Sequence, residues 1–431
     1  MTERKNISRF ITDPRYFITY YLIGYLLRGF IAHFIPFFDD FLQWSVIIWF
    51  LGILCVQIVN RTFLINKYQI VLLLFGAVII LPAVFGRGGL SVPVILSFLY
   101  YLIHATVFFP SAGHYEKDAF SRWLDYILSG VCFFVLLIAV CSLVFFLTYR
   151  AGVVLPFGLN SYERIFTYGH LGNEDRFCGL FGYSTNGGHL CIISLVLSLL
   201  LYERKKIPGW LTIISVIVFA CNIILLDVRA DMILLMFCFL CLLYRFLKRL
   251  LPANRYRSVF WGIVIGVTIL GVIVLRGRIV DTIQYIQQDP YNSLIELSTG
   301  RTEYWYLVIK HMFDHPVFGW GWLNSEVLQN GYYDAHNLFI NLLMWSGFSG
   351  FILFLVFLIM LFVHIWKTRR EIIKEKHYWA IVFVVCIFLE SMLDIDIVGS
   401  GYNIGTSLFW IFSGLFVFQY PLINEQKMGQ G

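Results

Sequence analysis

A chain of 431 residues that is 59% hydrophobic and only 13% charged, with a mean hydropathy of +0.77 and a formal net charge of +6, is excluded from the water-soluble classes at that length. The basic balance does not point to nucleic acid, because most Lys and Arg residues fall in short connections between apolar runs, where they meet anionic lipid headgroups. The composition predicts an all-α, polytopic membrane helix bundle whose standing partner is the lipid bilayer.

About twenty apolar residues span the hydrocarbon at 1.5 Å per residue, and by that ruler about twelve spans are expected. They lie near 16–35, 41–60, 67–86, 90–109, 123–149, 181–202, 210–227, 231–247, 259–275, 347–366, 378–395 and 404–420. A barrel would need alternating segments of about ten residues, which these uninterrupted Leu, Ile, Val and Phe runs lack. The cations set the orientation. With the N-terminus cytoplasmic, most of them, including Arg4, Lys5, Arg61, Lys67, Arg204 to Lys206, Lys248, Arg249, Arg369 and Arg370, fall inside. Both termini are then cytoplasmic, and 150–180 and 276–336 lie outside. The first span carries Arg28 and no small-residue cleavage site, so it reads as a retained helix. The expected organisation is 1–275 (nine spans with short loops), 276–346 (a large extracytoplasmic loop) and 347–431 (three spans and a tail).

Eight of the nine cysteines fall inside predicted spans and only Cys178 lies near an outer loop, which excludes a disulfide framework within the chain. The cations left outside are arginines in the main: Arg87, Arg150, Arg164, Arg176, Arg229, Arg276, Arg278 and Arg301, with Lys310. A planar, permanently charged guanidinium fork binds phosphate oxygens bidentately, so this set suggests an anionic, phosphate-bearing substrate. Arg229 sits in Leu226-Asp227-Val228-Arg229-Ala230-Asp231, a hinge too short for a loop. A tight helical hairpin there could aim the guanidinium inward, or Asp227 and Asp231 could neutralise it.

The polar segment after Arg276 interrupts the apolar runs for about sixty residues, which a purely structural bundle would not need. From Thr299 onward, Trp305, Val308, Ile309 and Met312 recur at helical spacing, while Glu303, Tyr306, Lys310 and His311 take other faces. This predicts an amphipathic helix capped by Ser298 or Thr299. Gly300-Arg301 would place a cation at its positive dipole end, an anion site. His315-Pro316, ahead of Phe318-Gly319-Trp320-Gly321, reads as a helix stop and turn. His336-Asn337 opens another helix that runs through Ser346 and Gly347 into the tenth span. A neutral imidazole there could take a proton from a sugar hydroxyl.

The ordered string Gly300-Arg301, Trp305, His315-Pro316, Gly319-Trp320-Gly321, His336-Asn337, Gly347 and Gly350 resembles the C-terminal signature of the O-antigen polymerase and O-antigen ligase superfamily. Arg176-Phe177-Cys178-Gly179-Leu180-Phe181-Gly182 with Asn186, and Asp227-Val228-Arg229, resemble two upstream pieces. The likeness runs over about 176–350; Val228 stands where the family usually has Ser, and Ser184-Thr185-Asn186 where it has Asn-Pro-Asn. What it implies is a GT-C-like glycosyltransferase acting outside the cytoplasmic membrane on a glycan carried by undecaprenyl pyrophosphate. Arg229 and Arg301, and less directly Arg176, would hold the pyrophosphate. His336 would be the base, and Asn186, Asn337, Gly300 and Trp305 would line the substrate. The implied mechanism is inverting, with no metal and no cofactor. A chain-length regulator and a flippase are the protein partners such a role suggests.

Polymerisation of repeat units is the favoured activity, for O-antigen, capsule or exopolysaccharide. Ligation of a finished glycan to a lipid core or a protein is the alternative. A lipid-linked sugar transporter should show internal symmetry, which the halves lack. A metal-dependent enzyme would rest on Asp39-Asp40 or on Asp394 and Asp396. Arg28 and Glu390 lie within spans, where a charge costs roughly 2.5–3.5 kcal/mol on insertion scales, so the two are candidates to pair with each other.

Overall fold

The structure, a computed structural model, describes residues 12–31, 35, 37–85, 91–155, 166–167, 176–181, 183–252, 255–274, 276–298, 300–322, 335–393, 397–398 and 403–422. Each of the expected spans carries a helix. In chain order these are α1 (Pro14–Ile31), α2 (Phe38–Val59), α3 (Lys67–Val84), α4 (Val92–Ile103) with its π and 3-10 continuation to His114, and α5 (Lys117–Arg150). A two-residue strand pair, β1 (Phe166–Thr167) with β2 (Arg176–Phe177), precedes α6 (Ser184–Glu203), α7 (Gly209–Leu226), α8 (Arg229–Leu250) and α9 (Tyr256–Val274). The polar segment forms α10 (Arg276–Gln288), α11 (Pro290–Leu297) and α12 (Arg301–His311); α13 (Leu338–Lys374), α14 (Tyr378–Ser391) and α15 (Ile404–Gln419) complete the chain. Among the described residues, 8 helices are long and apolar enough to cross a membrane, and α9, α14 and α15 carry shorter apolar stretches. The protein is a polytopic helical membrane protein.

Two helices form the centre. Most residues of α6 and α15 are buried, as expected of helices ringed by other helices rather than lipid. α6 packs against α5, α7, α8 and α14. Small residues let it do so: a side chain at Gly187 would meet Phe181 and Leu226. Asn222 of α7, fully buried, donates from Nδ2 to the carbonyl of Ala139 on α5 (3.2 Å), a polar tie between helices, and to that of Val218 on its own helix (2.9 Å).

The short connections make neighbouring helices antiparallel. α6, α8 and α13 therefore begin, and α14 ends, at one end of the bundle. The opposite end is pinned by Arg204, which donates to both Asp125 oxygens (2.5 and 2.9 Å), to Ser121 Oγ (2.5 Å) and to His377 Nε2 (2.7 Å). Because Arg204 donates to Nε2, the His377 proton sits on Nδ1, which donates to Tyr420 Oη (2.7 Å).

One sequence expectation is overturned. Arg28 holds Asp39 (Nε to Oδ1 2.5 Å, Nη2 to Oδ2 2.8 Å), and Glu390 lies instead with His189 and Asp231. Asp39 sits in the first turn of the next helix, so the nearby carboxylate takes the guanidinium before a distant one can.

Candidate active site

Arg229 owes its place to a two-residue connection. α7 ends at Leu226, Asp227 takes a left-handed conformation (φ 52°), Val228 is extended, and α8 begins at Arg229. Asp tolerates that conformation better than most residues. Leu226 and Val228, both buried, pack on Phe177 of β2. That packing brings the strand carrying Arg176, whose register partner is Thr167, against the hairpin that launches Arg229. Arg229 is exposed on the first turn of α8, and Asn186 is exposed on the first turn of α6.

Asp231, two residues on, faces the other way. It is fully buried and accepts from His189 Nδ1 at 3.1 Å, so it does not belong to the exposed face of Arg229. The same imidazole nitrogen contacts Glu390 of α14, also fully buried. His189, Asp231 and Glu390 thus join α6, α8 and α14 directly beneath the arginine. Gly188 makes the approach feasible, since a Cβ there would collide with the Asp231 carboxylate.

Arg301 opens α12 as expected, and Ser298 Oγ accepts from the Thr302 amide (3.1 Å), with Gly300 in the left-handed region (φ 87°) between them. Val308 is the buried anchor of α12 and Trp305 is partly buried, but Ile309 is 49% exposed, outside the packed face that its spacing suggested. Trp305 Nε1 donates to the Ala335 carbonyl (2.8 Å), and the Ala335 amide donates to Asn341 Oδ1 (2.7 Å). His336 follows with φ 50°, a strained position for a residue with a Cβ. Asn337 then caps α13, its Oδ1 accepting from Phe339 (3.0 Å) and Ile340 (3.2 Å) while Nδ2 donates to the Met392 carbonyl (2.8 Å). His336 is therefore fixed on both sides, to α12 through Ala335 and to the end of α14 through Asn337.

α13 breaks at Gly347 (φ 60°, ψ −160°), and the loop motif repairs the break. Trp320 and Gly321 donate to the carbonyls of Met344 (2.7 Å) and Trp345 (3.2 Å), and Phe348 and Ser349 donate to those of Pro316 (2.7 Å) and Val317 (3.2 Å). Gly319 and Gly347 face each other so closely that a Cβ on either would stand 2.6 Å from backbone atoms of the other. The His315 ring rests edge-on against Trp320, centroids 4.4 Å apart. The Gly-Trp-Gly motif is a clamp on the membrane helix.

The fold therefore gathers Arg176, Asn186, Arg229, Gly300, Arg301, Trp305, His336 and Asn337 at the end where α6, α8 and α13 begin. A continuous path runs from α8 through Asp231, His189, Glu390, Met392, Asn337 and Ala335 to Trp305 on α12. Asp394 and Asp396 lie outside the described residues, and Asp39 is committed to Arg28. Sequence reasoning passed over His189, whose one signal was an ionisable residue after Gly187-Gly188 inside an apolar run.

Residues 214–355 match a family model described as O-antigen ligase. This segment contains Arg229, Arg301, His336 and the Gly347 break. The ComP-specific O-oligosaccharyltransferase of Acinetobacter baylyi (strain ATCC 33305 / BD413 / ADP1) is 24% identical over 153 residues, which is 32% of this chain and 25% of that relative. The chain thus covers about a quarter of that relative's length.

Proposed function

We propose, for a chain of the O-antigen ligase superfamily, that it transfers a glycan from undecaprenyl pyrophosphate to a sugar or protein hydroxyl at the outer face of the cell inner membrane. The observation that carries this reading is that two arginine-led helices, α8 and α12, begin at the same end of the bundle and are joined by the path through His189, Glu390, Asn337 and Ala335, with His336 held between Ala335 and Asn337. A guanidinium beside a helix N-terminus favours a pyrophosphate in both its ground and departing states. His336 accepts the acceptor hydroxyl proton as its oxygen bonds to C1. The C1–O bond to phosphate breaks with its electron pair leaving on the pyrophosphate, where Arg229 and Arg301, helped by Arg176, offset the charge. C1 inverts, and no metal touches the phosphates in this step. Asn186, Gly300 and Trp305 border the same end, and the distribution of cations among the loops supports a cytoplasmic position for both termini.

The acceptor divides two readings. A second lipid-linked repeat unit would make the chain a polymerase, working with a chain-length regulator and fed by a flippase. The family description and the relative's name favour ligation to a different acceptor. Purified protein in nanodiscs, given radiolabelled lipid-pyrophosphate oligosaccharide alone, yields a ladder if it polymerises. A product only upon adding lipid core or acceptor protein assigns ligation. No transfer to any acceptor, with donor moving across sealed vesicles, refutes the enzyme reading in favour of a transporter.

A further inference from the structure

His189, Asp231 and Glu390 each offer one ligand atom, and these atoms all lie within 4.8 Å of one another, drawn from three helices distant in sequence. Asp231 and Glu390 are wholly buried, and His189 is 8% exposed. One Nδ1 faces both carboxylates, yet an imidazole nitrogen carries one proton and satisfies one acceptor at a time. Glu390 Oε2, on the carboxylate that faces His189, and Asp231 Oδ2, which lies against Gly188, have no hydrogen-bond donor among the described residues. Two buried carboxylates would together place two negative charges in a low-dielectric interior if both were ionised, a strongly unfavourable arrangement unless a cation or a shared proton compensates.

We propose that His189, Asp231 and Glu390 bind one divalent transition-metal cation, zinc or manganese, which locks α6, α8 and α14 together beneath the candidate active site. A divalent ion neutralises both carboxylates at once and takes Nδ1 as a ligand, freeing it from its double demand. The nitrogen donor favours zinc, and the two carboxylates also suit manganese, which accepts an imidazole beside them, whereas magnesium and calcium prefer all-oxygen shells. Three protein ligands leave at least one position for water. The ion's role is to hold the helix that begins at Arg229. It does not rest on the transfer chemistry proposed above, because its readouts are metal content and stability.

The test uses the full chain in nanodiscs, stripped with a chelator and then supplied separately with zinc, manganese or magnesium chloride. The expected result is one zinc or manganese ion per chain by elemental analysis after desalting, with a raised Tm, and no comparable uptake of magnesium. Cobalt added to stripped wild-type protein should give the visible d–d absorption of a site with nitrogen and oxygen donors. Asp231→Asn and Glu390→Gln should lose both the retained ion and the metal-dependent rise in Tm, whereas His315→Ala, outside the cluster, keeps them. Wild-type protein that retains no zinc or manganese and shows no change in Tm overturns the proposal. So does a Glu390→Gln variant that binds metal like wild type, or one that is more stable than stripped wild type, which would assign the cluster to a shared proton instead.

Discussion

Replacing Asn337 with alanine removes three hydrogen bonds at the residue beside His336. The two accepted from Phe339 and Ile340 form the N-cap of α13, and the third is donated to Met392. A lost cap costs about 1 kcal/mol, and the bond to Met392 contributes about 1 kcal/mol net. Together about 2 kcal/mol of local stability disappears, equivalent to roughly a thirtyfold rise in amide exchange at the start of α13 if opening is local. Asn337→Asp keeps the cap but sets a carboxylate against the Met392 carbonyl, so its exchange should rise less than that of alanine, by about tenfold. Transfer should fall in both variants, because His336 loses its tie to α14, and a displacement of about 1 Å can cost about a hundredfold in rate. Hydrogen exchange by mass spectrometry on the peptide spanning 335–346 in nanodiscs, paired with single-turnover transfer, measures both. Exchange in the alanine variant within about twofold of wild type would refute the inferred cap and its link to α14.

Four further outcomes are expected. Arg229→Lys and Arg301→Lys should each impair transfer severely at normal membrane abundance, since an ammonium cannot reproduce the bidentate fork; normal product from both would remove these residues from the site. His336→Ala should lose about 10²–10⁴-fold in single-turnover rate with donor binding retained, while His315→Ala should chiefly loosen the clamp at Trp320; equal losses in the two would point to a general loop defect. Gly347→Ala forces a Cβ against the Gly319 amide and the Pro316 carbonyl at a positive φ, which should cost about 2–4 kcal/mol, read as a lower Tm; an unchanged Tm would show that the clamp is slack. Burial, followed by the charges of Arg204 and Lys117, lowers the His377 pKa to about 3. The folded value lies below the unfolded one near 6.5, so the contribution is intact above pH 6.5 and declines as pH falls toward 3, by about 1.4 kcal/mol per unit. Wild type should therefore lose Tm on acidification from pH 7 to 5 faster than His377→Gln, and parallel slopes would contradict this.

The spans were readable because an apolar run of span length has few other homes. Asp227-Val228 was readable as a hairpin because two residues cannot form a longer loop. His336-Asn337 was readable as a helix start because the cap bonds only to amides two and three residues ahead. The sequence was silent where partners come from elsewhere in the chain. His189 is 42 residues from Asp231 in sequence, and Glu390 lies on another helix, so nothing local announces that the three meet. Arg28 shows the converse error, in which two charges within spans were matched across the chain although Asp39 stood 11 residues away. Ile309 fits helical periodicity yet is exposed, since periodicity identifies a face without saying how far the neighbouring surface reaches.

The break at Gly347 also decides what can move. Four backbone hydrogen bonds and a glycine-to-glycine contact tie 316–321 to the halves of α13 on either side of it. Peeling that segment away would forfeit about 1 kcal/mol per bond, about 4 kcal/mol in all, leaving roughly one molecule in a thousand open at any instant. Such a segment is closed against the helix nearly all of the time. It travels with the membrane helix as one rigid piece, and any opening that admits a lipid-borne chain must come from the elements around it.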